Sequence, residues 1–161
     1  MNISLIKAQL EDAETIHTLQ IKSFIPLLKR YQDFDTNPAN EPLEKVIARI
    51  NQSFTDFYLI KSDGLNIGGI RIVKMKGNRL RVSPIFILPE YQGKGIAQKV
   101  FQMVEHIYCD AKAWELDTIL QERGNCYLYE KLGYKQTGKT EMINDKMTLV
   151  FYEKYVKATS P

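Results

Sequence analysis

Histidine and cysteine are scarce, with two of each in 161 residues. Cys109 and Cys126 lack CxxC spacing and are too few for a disulfide framework or a four-cysteine zinc site, so reduced, inert thiols are expected. His17 and His106 fall in predicted helices with no HxxxH or HxH partner, which argues against a metal centre. No apolar run approaches about 18 residues, and the start "MNISLIKAQL" lacks the basic and apolar regions of a secretion signal. Blocks of like charge are missing too: the net charge is +3, and Lys and Arg are scattered among acids. Those absences predict a cytoplasmic protein without a metal, and nothing selects nucleic acid or a membrane as partner.

What is present suits one domain over residues 1–161, large enough to bury roughly two-thirds of its unfolded surface. With 44% hydrophobic and 25% charged residues, plus nine Tyr and seven Phe, disorder is not expected. "ISLIKA" alternates like a half-buried strand, and Glu11, Asp12 and Glu14 open a helix with Ala13, Ile16 and Leu19 on one face. Phe24 to Pro42 holds three prolines and no clean period, predicting an irregular connection or a broken helix; "LEKVIARI" then reads as a short helix. The steps Asp63-Gly64 and Gly77-Asn78 predict two hairpins joining three strands between Phe57 and Leu88. A helix from Gly95 to Tyr108, a strand at "WELDTIL", a short helix at "NCYLYEKL" stopped by Gly133, and a final hairpin follow. This order predicts an α+β fold in three layers: a mixed, mostly antiparallel sheet of about seven strands, helices on both faces and one central βαβ unit. The apolar final hairpin, with "MTLVFY", is expected to lie exposed, where it could pair with another chain; the chain is expected as monomer or homodimer.

The stretch "IFILPEYQGKGIAQKVF" passes from strand through a glycine bend into helix without a linker. Gly93 and Gly95 have no Cβ there, so the N–H groups of Gly93, Lys94, Gly95, Ile96 and Ala97 can converge where the helix dipole also favours an anion. The bend is not a Walker A loop, since Lys94 lies between the glycines and no Ser or Thr follows. As a dinucleotide fingerprint it lacks its third small residue, because Gln98 stands there. A tight turn without a ligand is the plain alternative.

Gln92-Gly93-Lys94-Gly95-Ile96-Ala97 matches the pattern Q/R-x-x-G-x-G/A, and "LYEKLGY" downstream is similar to a second conserved segment of the same family. On these two motifs and the element order, the chain resembles the GNAT superfamily of N-acetyltransferases. The resemblance implies acetyl-CoA as co-substrate, its pyrophosphate on the amides of Gly93 to Ala97, its pantetheine arm against Ile85, Phe86 and Ile87, and Gln92 shaping the loop. It implies Tyr129 as the acid that protonates the departing thiolate; packing within the apolar helix is the competing role. Where the family often has a pantetheine-binding Asn, this chain has Glu122, with an Asn instead at Asn125, which either takes that contact or caps the helix.

The acceptor is expected to be a primary amine of a small molecule or peptide, bound near the irregular segment, where Tyr31, Asp33 and Phe34 would suit a cation. Asp33, Asp35, Glu41 and Glu44 are candidate bases, alongside a water relay or simple solvated charges. Two rivals are a non-catalytic acyl-CoA-binding module and a Cys126 nucleophile; the second has no recognisable histidine partner.

Overall fold

The alternating and continuous apolar stretches become seven strands: β1 (Ile3–Lys7), β2 (Thr55–Ser62), β3 (Leu65–Met75), β4 (Arg79–Ile87), β5 (Ala113–Ile119), β6 (Lys135–Asn144) and β7 (Met147–Tyr155). Four helices connect them: α1 (Ala13–Tyr31), α2 (Leu43–Asn51), α3 (Ile96–Ile107) and α4 (Arg123–Lys131). The computed structural model describes residues 1–156. The strands form one sheet in the order β1-β2-β3-β4-β5-β7-β6, antiparallel throughout except where β4 meets β5. Both early hairpins turn through left-handed pairs, Asp63-Gly64 and Gly77-Asn78, as a two-residue turn between twisted strands requires.

Each face of the sheet carries its own core. Ile96, Val100, Phe101 and Val104, spaced along one side of α3, join Ile70, Leu80, Trp114 and Tyr152 of the strands. On the other face Ile16 and Leu19 of α1 and Val46 of α2 pack with Phe57, Leu59 and Phe86. Helices therefore cover both faces, the three-layer arrangement expected from the element order. Among the described residues no helix is long and apolar enough to cross a membrane.

Two expectations are corrected. Phe24 to Pro42 is not irregular throughout: α1 runs on to Tyr31 with Pro26 inside it. A proline removes one N–H from a 19-residue helix, and α1 stays anchored by Phe24, whose ring lies 5.9 Å from that of Phe86. The last strand is not exposed either. β7 lies between β5 and β6, with Met147, Val150 and Tyr152 buried, and the edge strand is the largely exposed β6. Apolar alternation in β7 marks an interior strand, and the basis for pairing it with another chain is lost.

The feature that makes room for a site is a divergence of strands. β4 and β5 pair only at Arg79↔Ala113, Leu80↔Trp114 and Arg81↔Glu115, although β4 continues to Ile87 and β5 to Ile119. Against β3, the step from Val82 to Ile85 spans the step from Ile72 to Ile70, so one extra residue bulges at Ser83-Pro84. Pro84 has no N–H to offer a neighbouring strand, and the bulge bends β4 away from β5.

Candidate functional site

Where β4 leaves β5, its chain turns through Gly93 (φ 73°) and Gly95 (φ 79°) into α3. A Cβ at Gly95 would meet no atom within 4 Å, so glycine is needed for its left-handed backbone and not for space. No side chain caps α3; the first acceptor of the helix is the Gly95 carbonyl, bonded by the Lys99 amide at 3.2 Å. The amides of Gly93 through Ala97 thus remain without an acceptor among the described residues, gathered at the positive end of the helix. Gln92 stabilises the bend from below by donating Nε2 to the Ile87 carbonyl at 2.8 Å.

A cavity of about 490 Å³ opens over this bend. Ile85, Phe86 and Ile87 of β4, Gln92, Gly93, Gly95, Ile96 and Ala97 of the bend, and Asn125 and Tyr129 of α4 lie on its wall. Lys94 does not; its ammonium stands 5.7 Å from the centre of the Tyr91 ring. Glu122, at the cavity rim just before α4, is engaged by Arg30 at 2.7 Å and accepts a hydrogen bond from the Tyr31 hydroxyl. Asn125 does not cap α4, which starts at Arg123, and its side chain is exposed towards the cavity.

Tyr129 packs in the core and also reaches the cavity wall. Its ring is buried edge-on against Phe101 (5.5 Å), Tyr134 (6.0 Å) and, tilted, Tyr152 (6.1 Å). The residue still borders two cavities. Burial, followed by the nearby charge of Asp117, pushes its phenol well above the usual range, so it stays protonated as a donor.

The second cavity, about 310 Å³, lies on the far side of Tyr129 and Asn125, between the diverging strands and the segment after α1. Asp33, Glu41 and Asp117 line it along with Phe24, Leu27 and Leu116. Asp117 is paired with Arg81, and Glu41 is held by Arg49 at 2.8 Å and Lys45 at 3.0 Å. Burial raises the Glu41 carboxyl, but the hydrogen bonds from Arg49 and Lys45 outweigh it and hold the group below its usual value. Asp33 is 4% exposed. Asp35 and Glu44 are exposed and off the wall; Tyr31 is buried but borders neither cavity, and Phe34, 65% exposed, borders neither.

Cys126 Sγ lies 3.8 Å from the carbonyls of Ile119 and Leu120, His17 contacts the Glu41 carbonyl at 2.8 Å, and His106 is exposed on α3; no Cys–His pair forms. Sequence reasoning missed Arg71, whose guanidinium donates to the Ser83 carbonyl (2.8 Å) and Gln52 Oε1 (2.9 Å) and so holds the bulge. Pro84 inside an apolar strand was the available signal for the divergence; for Arg71 there was none.

Residues 12–156 match the family model described as an acetyltransferase (GNAT) domain. A search of curated proteins found no match. Among solved structures, the PaiA N-acetyltransferase from Thermoplasma acidophilum in complex with coenzyme A is 21% identical with a TM-score of 0.76, covering 97% of this chain and 100% of its own. The ribosomal-protein-S18-alanine N-acetyltransferase from Escherichia coli is 8% identical with a TM-score of 0.78, covering 99% and 97%. The microcin C7 self-immunity acetyltransferase MccE, in complex with acetyl-CoA and AMP, is 18% identical with a TM-score of 0.74, covering 96% and 92%.

Proposed function

As this chain belongs to the GNAT family of acetyltransferases and is an N-acetyltransferase, we propose that it moves an acetyl group from acetyl-CoA to the primary amine of a small molecule or peptide by direct attack. The observation that carries this reading is the meeting in one cleft of the free amides at Gly93 to Ala97, the end of β4 that has parted from β5, and Tyr129. The amides suit the pyrophosphate of acetyl-CoA, and the open edge at Ile85 to Ile87 suits the amide groups of its pantetheine arm, as an added strand would. Asn125, on the wall shared by both cavities, is the pantetheine contact in this reading, because Glu122 is spent on Arg30 and Tyr31.

The acceptor nitrogen, as free amine, attacks the thioester carbonyl from the second cavity. A C–N bond forms, the tetrahedral intermediate collapses, and the C–S bond breaks. Tyr129 gives its proton to the departing sulfur, and the proton shed by the nitrogen leaves through water and restores the phenol, so one proton lost balances one gained. Glu41, locked by two cations, is a poor base, Asp35 and Glu44 stand off the wall, and Asp33 on the wall already accepts through both carboxylate oxygens from Thr36, which favours the water route.

Calorimetry with acetyl-CoA, followed by thiol release against polyamines, amino acids, aminoglycosides and peptides, tests the proposal. Binding of acetyl-CoA together with amine-dependent release is expected. Binding with no release across the whole panel would instead identify a non-catalytic acyl-CoA-binding module.

A further inference from the structure

We infer that the acceptor carries a second positive charge besides the amine that reacts, and that Asp33 is the residue that reads it; this rests on the transfer reaction proposed above. Three carboxylates border the acceptor cavity, and two are already neutralised: Glu41 by Arg49 and Lys45, Asp117 by Arg81. Asp33 is different. It is 4% exposed, accepts only from the backbone amide (3.0 Å) and hydroxyl of Thr36, and forms no ion pair among the described residues. A carboxylate withdrawn from water without a counter-ion is costly, and it draws a cation into its cavity. Of the charged side chains that border this cavity among the described residues, three are carboxylates and one, Arg49, is a guanidinium bound through both terminal nitrogens to Glu41, so the wall itself is negative on balance.

A solvated loop acid would look otherwise. The segment that carries Asp33 is fastened at three points: Asn144 donates to the Tyr31 carbonyl at 2.9 Å, Gln20 to the Pro38 carbonyl at 2.9 Å, and the Asn37 side chain accepts from the Ala39 amide at 2.8 Å. Tyr129 borders the same cavity. Phe24, Leu27, Leu116 and Leu149 line it as well. A buried carboxylate, the reacting position and apolar side chains on the wall of one cavity suit an amine whose second cationic group, ammonium or guanidinium, is joined by a hydrocarbon spacer.

Three probes of equal backbone length separate the possibilities: cadaverine, pentylamine and aminopentanoate, assayed by thiol release with the full chain and acetyl-CoA. A charge-assisted contact of this kind predicts that kcat/KM for cadaverine exceeds that for pentylamine by about tenfold or more, with aminopentanoate poorest. Asp33→Asn should shrink the cadaverine-to-pentylamine ratio to within about threefold, chiefly through KM, while the Kd for acetyl-CoA holds, which also verifies that the variant is folded. Equal use of cadaverine and pentylamine by the wild type, use of none of the three despite acetyl-CoA binding, or an undiminished ratio in a folded Asp33→Asn overturns the inference. The wild-type ranking decides the matter even if the variant does not fold. Failure to bind acetyl-CoA at all would instead remove the transfer reaction itself.

Discussion

At the scale of single residues, Tyr129 is packed in the core and is also the acid of the proposed reaction. Its ring belongs to an aromatic group with Phe101, Tyr134 and Tyr152, while the residue borders two cavities. Tyr129→Phe keeps the ring and removes only the proton, so acetyl-CoA should bind within about twofold of wild type while kcat falls about 100-fold or more. Calorimetry and initial rates measure both; an unchanged kcat would eliminate the acid role. Since burial raises the phenol above its usual value, the acid form persists beyond the range of a free tyrosine. The pH–rate profile should therefore rise as the amine loses its proton and show no fall from Tyr129 below about pH 10. That "LYEKLGY" holds a tyrosine turned to the core was legible in its period; Tyr127, by contrast, is exposed and borders neither cavity.

At the scale of elements, the site depends on a helix start and a strand that departs from its neighbour. Gly95 holds φ 79° at the N-terminus of α3. Gly95→Ala should cost about 1–2 kcal/mol, lower Tm by about 2–8 °C and weaken acetyl-CoA binding by misaiming the amides. Thermal melts with and without acetyl-CoA check this, because a ligand bound more weakly raises Tm less. The departure of β4 is held by Arg71, half-buried, with burial and the nearby Arg49 lowering its guanidinium to about 10. In Arg71→Met the Ser83 carbonyl loses its donor, at about 1–3 kcal/mol, but a desolvated charge also disappears, so the two effects oppose each other in stability. They do not oppose in geometry: Kd for acetyl-CoA should rise by about tenfold with only a small change in Tm. An unaltered Kd would mean that the bulge holds without Arg71.

At the scale of the whole molecule, stability should be bounded by buried phenols above and paired carboxylates below. Burial raises Tyr108, Tyr129 and Tyr134, so the folded state keeps protons that unfolded tyrosines release from about pH 10; stability is full below that pH and declines as pH climbs through it. For Asp56, burial pushes upward but hydrogen bonds from Tyr108, Lys7 and Lys74 prevail, and Glu41 behaves alike with Arg49 and Lys45. Their folded values lie below the unfolded ones near about 4, so this stabilisation is present above that pH and is lost as pH falls through it. Melts across pH should give a plateau at neutrality with both flanks descending.

The sequence by itself determined the local elements, the two hairpin turns, the glycine bend and the tyrosine of the fourth helix, because period, turn chemistry and missing Cβ atoms act between near neighbours along the chain. Only the tertiary structure decided that β7 lies inside the sheet, that α1 carries Pro26 onward to Tyr31, that β4 parts from β5, and that Asp33 faces the same cavity as Tyr129. Those outcomes depend on contacts between residues far apart in sequence. Whether a carboxylate such as Glu41 is spent, or one such as Asp33 is free, follows from which cations the fold brings beside it.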